Sequence, residues 1–158
     1  MENVSLYETE YPSPAGMLYL GLTDTAVKRI DFTAMPEAVP LPSGGDAAVL
    51  AERVRGQLDE YFSGRRTEFD LPLEFGGTEY QKRVYAALLD IPYGQTISYG
   101  ELARRVGSGP RAVGQANHRN PISIVVPCHR VIGADGSLTG YGGGVDRKQW
   151  LLQHEKAL

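Results

Sequence analysis

Cys128 is the only cysteine among 158 residues, and it stands in Pro127-Cys128-His129-Arg130. A thiol reacts as its thiolate, and a free pKa of about 8.5 falls to roughly 3.5–7.5 beside a histidine, an arginine or a helix N-terminus. His129 and Arg130 follow directly, so this segment could carry an activated sulfur nucleophile. A lone cysteine is equally compatible with a small buried hydrophobe. Adjacency alone does not give a hydrogen bond, because neighbours on a strand point to opposite faces; a bridging water would remove that objection. A nucleophile and its base call for a third group that orients the imidazole. Glu155, ending Lys148-Gln-Trp-Leu-Leu-Gln-His-Glu155, is a candidate, with a solvated helix-end charge as the plainer alternative. One cysteine excludes an intramolecular disulfide and a cysteine-based zinc cluster. A metal-free, cofactor-free cytoplasmic protein is expected.

The elements that must position these groups fall into two halves. Val4–Tyr7, Met17–Leu22 and Val27–Phe32 read as short strands, separated by turn signals at Pro12–Gly16 and Thr23-Asp24. Their close spacing predicts an antiparallel meander. Residues 34–45 look like a loop. Helical spacing of Val49, Leu50, Val54, Leu58, Tyr61 and Phe62 predicts a helix over 46–62 that Gly64 stops. Residues 65–77 are irregular and hold the boundary. The fold class is therefore α+β: an antiparallel-sheet domain with a helix over 1–72, then a mainly helical domain over 73–158.

In the second half, Thr78 with Gln81 and Ser98 with Glu101 are capping boxes, each opening a helix. Gly107-Ser-Gly-Pro110 makes a tight turn, with Pro110 suited to the first position of a helix running to about His118. Two short helices joined by such a turn are the sequence form of a helix-turn-helix. Asn120-Pro121 closes it, and Ile122-Ser-Ile-Val-Val126 reads as a buried active-site strand ending at Pro127.

Charge is divided along the chain. The net charge is −3, but residues 1–72 carry 6 basic against 12 acidic residues and residues 73–158 carry 10 against 7. Arg104, Arg105, Arg111, Arg119 and Arg130 occupy a stretch without any acidic residue, the footprint a polyanion would need; an ordinary solvated basic face is the alternative. Gly107-x-Gly109-x-x-Ala112 matches a loose dinucleotide fingerprint, but a helix precedes it where a strand is required. Gly142-Gly-Gly144 lacks the Lys-Ser/Thr of a phosphate loop. Met1-Glu2-Asn3-Val4-Ser5 has no basic or long apolar region, so no signal peptide is expected. The Asn3-Val4-Ser5 glycosylation triplet then carries no weight. No apolar run approaches the roughly 18 residues of a membrane span.

Pro127-Cys128-His129-Arg130-Val131-Ile132-Gly133, with Asn120-Pro121, Tyr141-Gly142-Gly143-Gly144, Trp150-Leu-Leu-x-His-Glu155, Ile97-Ser-Tyr99 and Arg111-Ala-Val-Gly114, resembles the O6-alkylguanine-DNA alkyltransferases. The likeness runs from about residue 78 to 155; residues 1–77 fit only in architecture. It implies direct-reversal DNA repair: stoichiometric, irreversible transfer of an alkyl group from O6-alkylguanine, with O4-alkylthymine as a further candidate substrate, to Cys128. It implies His129 as base through a water, Glu155 holding His129, and Asn120 bracing the turn before the active-site strand. Tyr99 would donate to the flipped guanine, and the Cys128 and Val131 carbonyls would read its amino group. Tyr141 and Gly142 would line the pocket near O6. Arg111 would enter the base stack, on a small-faced helix with Ala112, Gly114, Gln115 and Arg119 against the minor groove of double-stranded DNA. A monomer is implied, cytoplasmic and nucleoid-associated in a prokaryote, without metal, membrane or cysteine-rich sensor domain. Gly142 stands where some relatives have serine, which would widen the pocket or leave one polar contact unmade. Two other readings predict different behaviour: a thiol hydrolase or acyltransferase would turn over, and a pure helix-turn-helix binder would not need Cys128.

Overall fold

A computed structural model describes residues 5–158. Asn3, Val4 and the start of the first expected strand lie outside the described residues. The chain separates into two compact units, Met1–Phe75 and Gly76–Leu158.

In the first unit, β1 (Tyr7–Ser13) pairs antiparallel with β2 (Gly16–Leu22), and β2 with β3 (Val27–Asp31). A short β4 (Val39–Pro40) joins β1 in parallel, giving the order β3-β2-β1-β4. The strand expected over 4–7 lies later, because the hairpin turn is confined to Pro14-Ala15 and Pro12 still pairs with Met17. Pro12 looks like turn punctuation in the sequence, yet its fixed φ is compatible with extended backbone. Within the stretch read as a loop, β4 is invisible to pattern because both of its residues are exposed. Leu18, Leu20 and Leu22 alternate onto one face and are fully buried, as are Ala51, Val54, Leu58 and Tyr61 of α1 (Asp46–Phe62). Tyr11 donates to Asp59 at 2.5 Å, fastening β1 to that helix.

The second unit is mainly helical. Thr78 caps α2 (Glu79–Leu89) with both halves of a capping box. Ser98 accepts from the Glu101 amide at 3.0 Å and starts α3 (Tyr99–Val106). Only this half of the second box forms, since the Glu101 carboxylate turns to Arg104 and Arg105. Gly107, at φ 72°, ends α3 in the left-handed conformation that glycine adopts without steric cost. Pro110 then opens α4 (Pro110–His118). β5 (Ile97–Ser98) and β6 (Val131–Ile132) form a two-stranded parallel pair, and α5 (Val145–His154) closes the unit.

The α+β architecture stands, but the active-site strand over 122–126 does not form. Ile122–Val126 is a series of tight turns, and Cys128–Arg130 is a single 3-10 turn that leads into β6. Ile124 has φ 73°, which no strand permits. Its backbone is instead served locally: Val126 N donates to Ile122 O at 3.0 Å and Cys128 N to Val126 O at 2.8 Å. The β-branched run imitates a strand because Ile122, Ile124, Val125 and Val126 are all core residues.

Candidate active site

Asn120 organises the loop that delivers Cys128. Its Oδ1 accepts from Ile122 N at 3.1 Å, while Nδ2 donates to Val126 O at 2.8 Å and Ile122 O at 3.3 Å. The buried amide thus replaces the ladder partners that a strand would have had. The implied bracing role fits this geometry, although what it braces is a turn series.

Cys128 is buried, 4% exposed, at the start of the 3-10 turn. The turn sets consecutive side chains roughly 120° apart, so His129 and Arg130 need not alternate across a strand. His129 is fully buried, and its Nε2 lies 2.7 Å from Glu155 Oε2. With Nε2 bonded to a carboxylate, the neutral imidazole carries its proton there and leaves Nδ1 as an acceptor. Nδ1 has no hydrogen-bond partner among the described residues. Burial pulls the His129 pKa below its usual value, more strongly than Glu155 raises it, so the ring is neutral near pH 7. Burial would raise Glu155, but the hydrogen bonds from His129 and Arg130 and the charge of Arg130 outweigh it and keep the carboxyl ionised far below the usual range.

Arg130 is not aimed at the thiol. Its Nε donates to Glu155 Oε1 at 2.8 Å, Nη2 to Oε2 at 3.1 Å and Nη1 to Ile91 O at 2.6 Å. The sequence reading that offered Arg130 as an activator of Cys128 is corrected: the guanidinium neutralises Glu155, because a carboxylate buried without a cation would be prohibitive.

Sequence reasoning missed a second buried cation, Lys148. It is fully buried on α5, donating to Val131 O at 2.5 Å, Thr139 O at 2.7 Å and Tyr99 Oη at 3.4 Å. Burial brings its pKa down to about 8, while the charge of Cys128 pulls the other way. A signal was present: Lys148, Leu151, Leu152 and Glu155 share one helical face, so the two charges flank an apolar pair and must be buried with it. Asn117 was also missed. It is 1% exposed on α4, on the buried stripe with Val113, Ala116 and Asn120, and its Nδ2 donates to Cys128 O at 3.3 Å.

Tyr99 joins this cluster to the surface. Its hydroxyl donates to Thr139 O at 2.7 Å. Burial raises its pKa, as does the nearby Cys128. Gly140 permits this approach, since a Cβ there would stand 2.8 Å from the Tyr99 hydroxyl. The ring lines a cleft of about 670 Å3 together with Pro110, Arg111, Gly114, Gln115, His118, Arg119, Thr139 and Gly140. Arg111, Gly114, Gln115 and Arg119 therefore share one face; Ala112 is exposed on α4 but does not line the cleft. Val131 and Tyr141 are buried and do not line it, nor does Gly142, which is exposed, its would-be Cβ 3.4 Å from His118 O. Cys128 does not line the cleft; Tyr99 is the residue shared by both.

Comparison with known proteins yields two family models. "6-O-methylguanine DNA methyltransferase, ribonuclease-like domain" matches residues 6–75, and "6-O-methylguanine DNA methyltransferase, DNA binding domain" matches residues 79–157. The chain is 54% identical over 150 residues to the methylated-DNA–protein-cysteine methyltransferase of Mycobacterium leprae, covering 91% of this chain and 88% of that one. It is 55% identical over 147 residues to that of Methanosarcina mazei, covering 91% and 93%. A crystal structure of Mycobacterium tuberculosis OGT in complex with DNA superimposes with a TM-score of 0.86 at 46% identity, covering 96% of this chain and 93% of that one.

Proposed function

The chain belongs to the 6-O-methylguanine DNA methyltransferase family, and we propose that Cys128 is the residue on which it keeps the alkyl group. It acts on DNA by direct reversal, moving an alkyl group from O6-alkylguanine to a cysteine of its own, irreversibly and once per molecule. The observation that carries the residue assignment is the buried His129–Glu155 contact of 2.7 Å, one residue from the chain's only cysteine.

The alkylated atom lies within a stacked duplex, so the nucleotide must swing out, which costs a few kcal/mol. Arg111, exposed at the start of α4, is placed to fill the gap and offset part of that cost. α4 carries glycine and alanine at 112, 114 and 116, which let its backbone approach a minor groove closely. In the transfer, the thiol proton passes through a water to His129 Nδ1. The sulfur bonds to the alkyl carbon as the carbon–O6 bond breaks, and the electron pair leaves with guanine. Tyr99 donates to that anion, a role worth roughly 2.7–4 kcal/mol for a well-placed donor. Lys148 attracts the thiolate and steadies the Tyr99 hydroxyl.

Residues 6–75 serve as a structural domain, and the unit from Gly76 binds DNA and reacts. No helix among the described residues is long and apolar enough to cross a membrane, and a genomic substrate puts the protein in the cytoplasm, on the nucleoid in a prokaryote.

Incubation with a duplex containing O6-methylguanine, followed by mass spectrometry, tests the assignment. One added methylene on the Cys128 peptide, at one equivalent per protein, is expected. Cys128→Ser keeps DNA affinity and loses transfer. Multiple turnovers, or a modification elsewhere, would refute it.

A further inference from the structure

Between α2 and β5 the chain makes a tight turn, Pro92–Gln95, closed by Gln95 N donating to Pro92 O at 3.1 Å. Gly94, at φ 80°, takes the third position, where a type II turn needs the left-handed region. A Cβ there would stand 3.3 Å from Glu155 O, so glycine lets the turn lie against the end of α5. Three neighbouring residues of this segment meet the same buried ion pair. Ile91 O accepts from Arg130 Nη1 at 2.6 Å, and Gly94 N donates to Glu155 Oε1 at 3.5 Å. Between them, the Tyr93 ring lies over the Arg130 guanidinium, its centre 5.7 Å from Cζ. Ile91 is buried and Tyr93 half-buried, while the Arg130 side chain is 7% exposed. The ring is therefore the part of this turn that both meets water and covers the guanidinium.

The pair needs that cover. Ion pairs and hydrogen bonds strengthen in surroundings of low dielectric, and an aromatic face attracts a cation within about 6 Å. Tyr93 senses both charges: burial raises its pKa first, Glu155 raises it further and Arg130 lowers it. Water admitted here would solvate the guanidinium and the carboxylate, and loosen the contact that orients the His129 ring. It would also relieve the burial that is the main cause of the lowered His129 pKa. The charged groups facing His129 are Glu155 and Lys148 from α5 and Arg130 from its own turn, with Cys128 adjacent in sequence. Glu155 favours the protonated ring, and the two cations oppose it. We propose that Tyr93 is a positioning residue: its ring keeps water from the Arg130–Glu155 pair and thereby keeps His129 oriented and unprotonated for its work on Cys128. This rests on the alkyl-transfer reading above, in which His129 is the base, and adds to it the side chain that sets the pH range of that base. Tyr93 acts through Arg130 and Glu155, not on the sulfur.

The test is the pH dependence of single-turnover transfer from duplex O6-methylguanine, with the full chain in excess, alongside an NMR titration of the His129 ring in the same proteins. Tyr93→Ala should move both the His129 titration and the acid fall of the rate to higher pH. Transfer should then be roughly 5- to 10-fold slower than wild type at about pH 6, yet within about 3-fold at about pH 8. Tyr93→Phe keeps the ring face and should match the wild type at every pH. Tyr93→Gln, polar and without a ring, carries the comparison if the alanine variant fails to fold. An equal loss at all pH values would mean a merely structural role and would overturn the proposal. So would a phenylalanine variant that behaves like the alanine one, or a His129 titration that does not move. A wild type that transfers nothing at any pH would be a separate result, defeating the alkyl-transfer reading while the His129 titration still reads the cover.

Discussion

Glu155 Oε2 lies 2.7 Å from His129 Nε2, and both side chains are completely removed from solvent. The same carboxylate accepts two hydrogen bonds from Arg130. Glu155→Gln keeps the shape and removes the charge. It leaves the Arg130 cation buried without its counter-charge, and it lets an amide N–H address Nε2, which would move the ring proton to Nδ1. Unfolding free energy should fall by about 3–5 kcal/mol. The transfer rate should fall by roughly 10²- to 10⁴-fold, the contribution of a general base. A Glu155→Gln protein that transfers at the wild-type rate in a single-turnover assay would remove His129 from the mechanism.

Stability should depend on pH with opposite causes at the two ends. Burial holds Lys148 at about 8 in the folded protein, against roughly 10.4 unfolded. Between those values the unfolded chain binds more protons, so this contribution to stability rises with pH from 8 to 10 and its cost is fully present below 8. Tyr99, Tyr85 and Tyr93 are raised, burial being the first cause for each, so the unfolded chain loses those protons first and stability falls above about 10. On the acid side His129 is lowered, and its contribution is lost as pH drops below about 6.5; Glu155, also lowered, follows below about 4.3. Lys148→Met should flatten the rise from 8 to 10, a difference on the order of 2 kcal/mol in denaturant titrations. A wild type and variant with parallel profiles would contradict it.

How much of this was legible depended on whether a residue's structural role was local. Thr78 with Gln81, Gly107 and Pro110 act within one helical turn, and the helix-turn-helix followed from them. The pairing of His129 with Glu155 spans 26 residues; the resemblance implied it, where spacing offered only a candidate. The segment 122–126 misled because its burial is real and its hydrogen bonds go to Asn120 and to itself, which composition cannot reveal. Lys148 and Asn117 went unnoticed because a lysine or asparagine on a helix is usually solvated. Only their place on stripes with Leu151, Leu152, Val113 and Ala116 marks them as buried.

Tyr99→Phe separates chemistry from stability. The hydroxyl bonds to Thr139 O and Lys148 at the edge of the cleft, where a lost hydrogen bond costs about 0.5–1.5 kcal/mol. Its donation to the leaving guanine is worth more, so the transfer rate should fall roughly 10²- to 10³-fold. The melting temperature should move only a few degrees. A rate loss below about 3-fold, seen by quenched single-turnover assay, would assign the proton donation to another group.

Arg111 is exposed and lines the cleft. If it replaces the extruded nucleotide, its loss matters only when there is a duplex to extrude from. Arg111→Ala should slow transfer from duplex O6-methylguanine by roughly 10- to 100-fold, corresponding to part of a few kcal/mol of flipping energy. Reaction with the free alkylated base should be unchanged within about 2-fold. Equal losses on both substrates would show that Arg111 supports the site and not the flipping.

Transfer itself should loosen the protein. Cys128 is 4% exposed, its carbonyl is tied to Asn117, and Tyr85, Tyr99 and Lys148 all sense its charge. A methyl group added there enters a packed site. Overpacking by one methylene typically costs about 1–3 kcal/mol, so stoichiometric methylation should lower the melting temperature by on the order of 5 °C. The strain falls on Asn117 and on Tyr85, whose hydroxyl donates to Arg119 O at 3.3 Å at the end of α4. The helix that faces DNA is thus the element disturbed by repair. Methylated protein should accordingly release an unmodified duplex faster than fresh protein, measurable by stopped-flow fluorescence alongside the thermal scan. An unchanged or higher melting temperature after quantitative methylation of Cys128 would show that the sulfur has room to spare, and the coupling to α4 would fail with it.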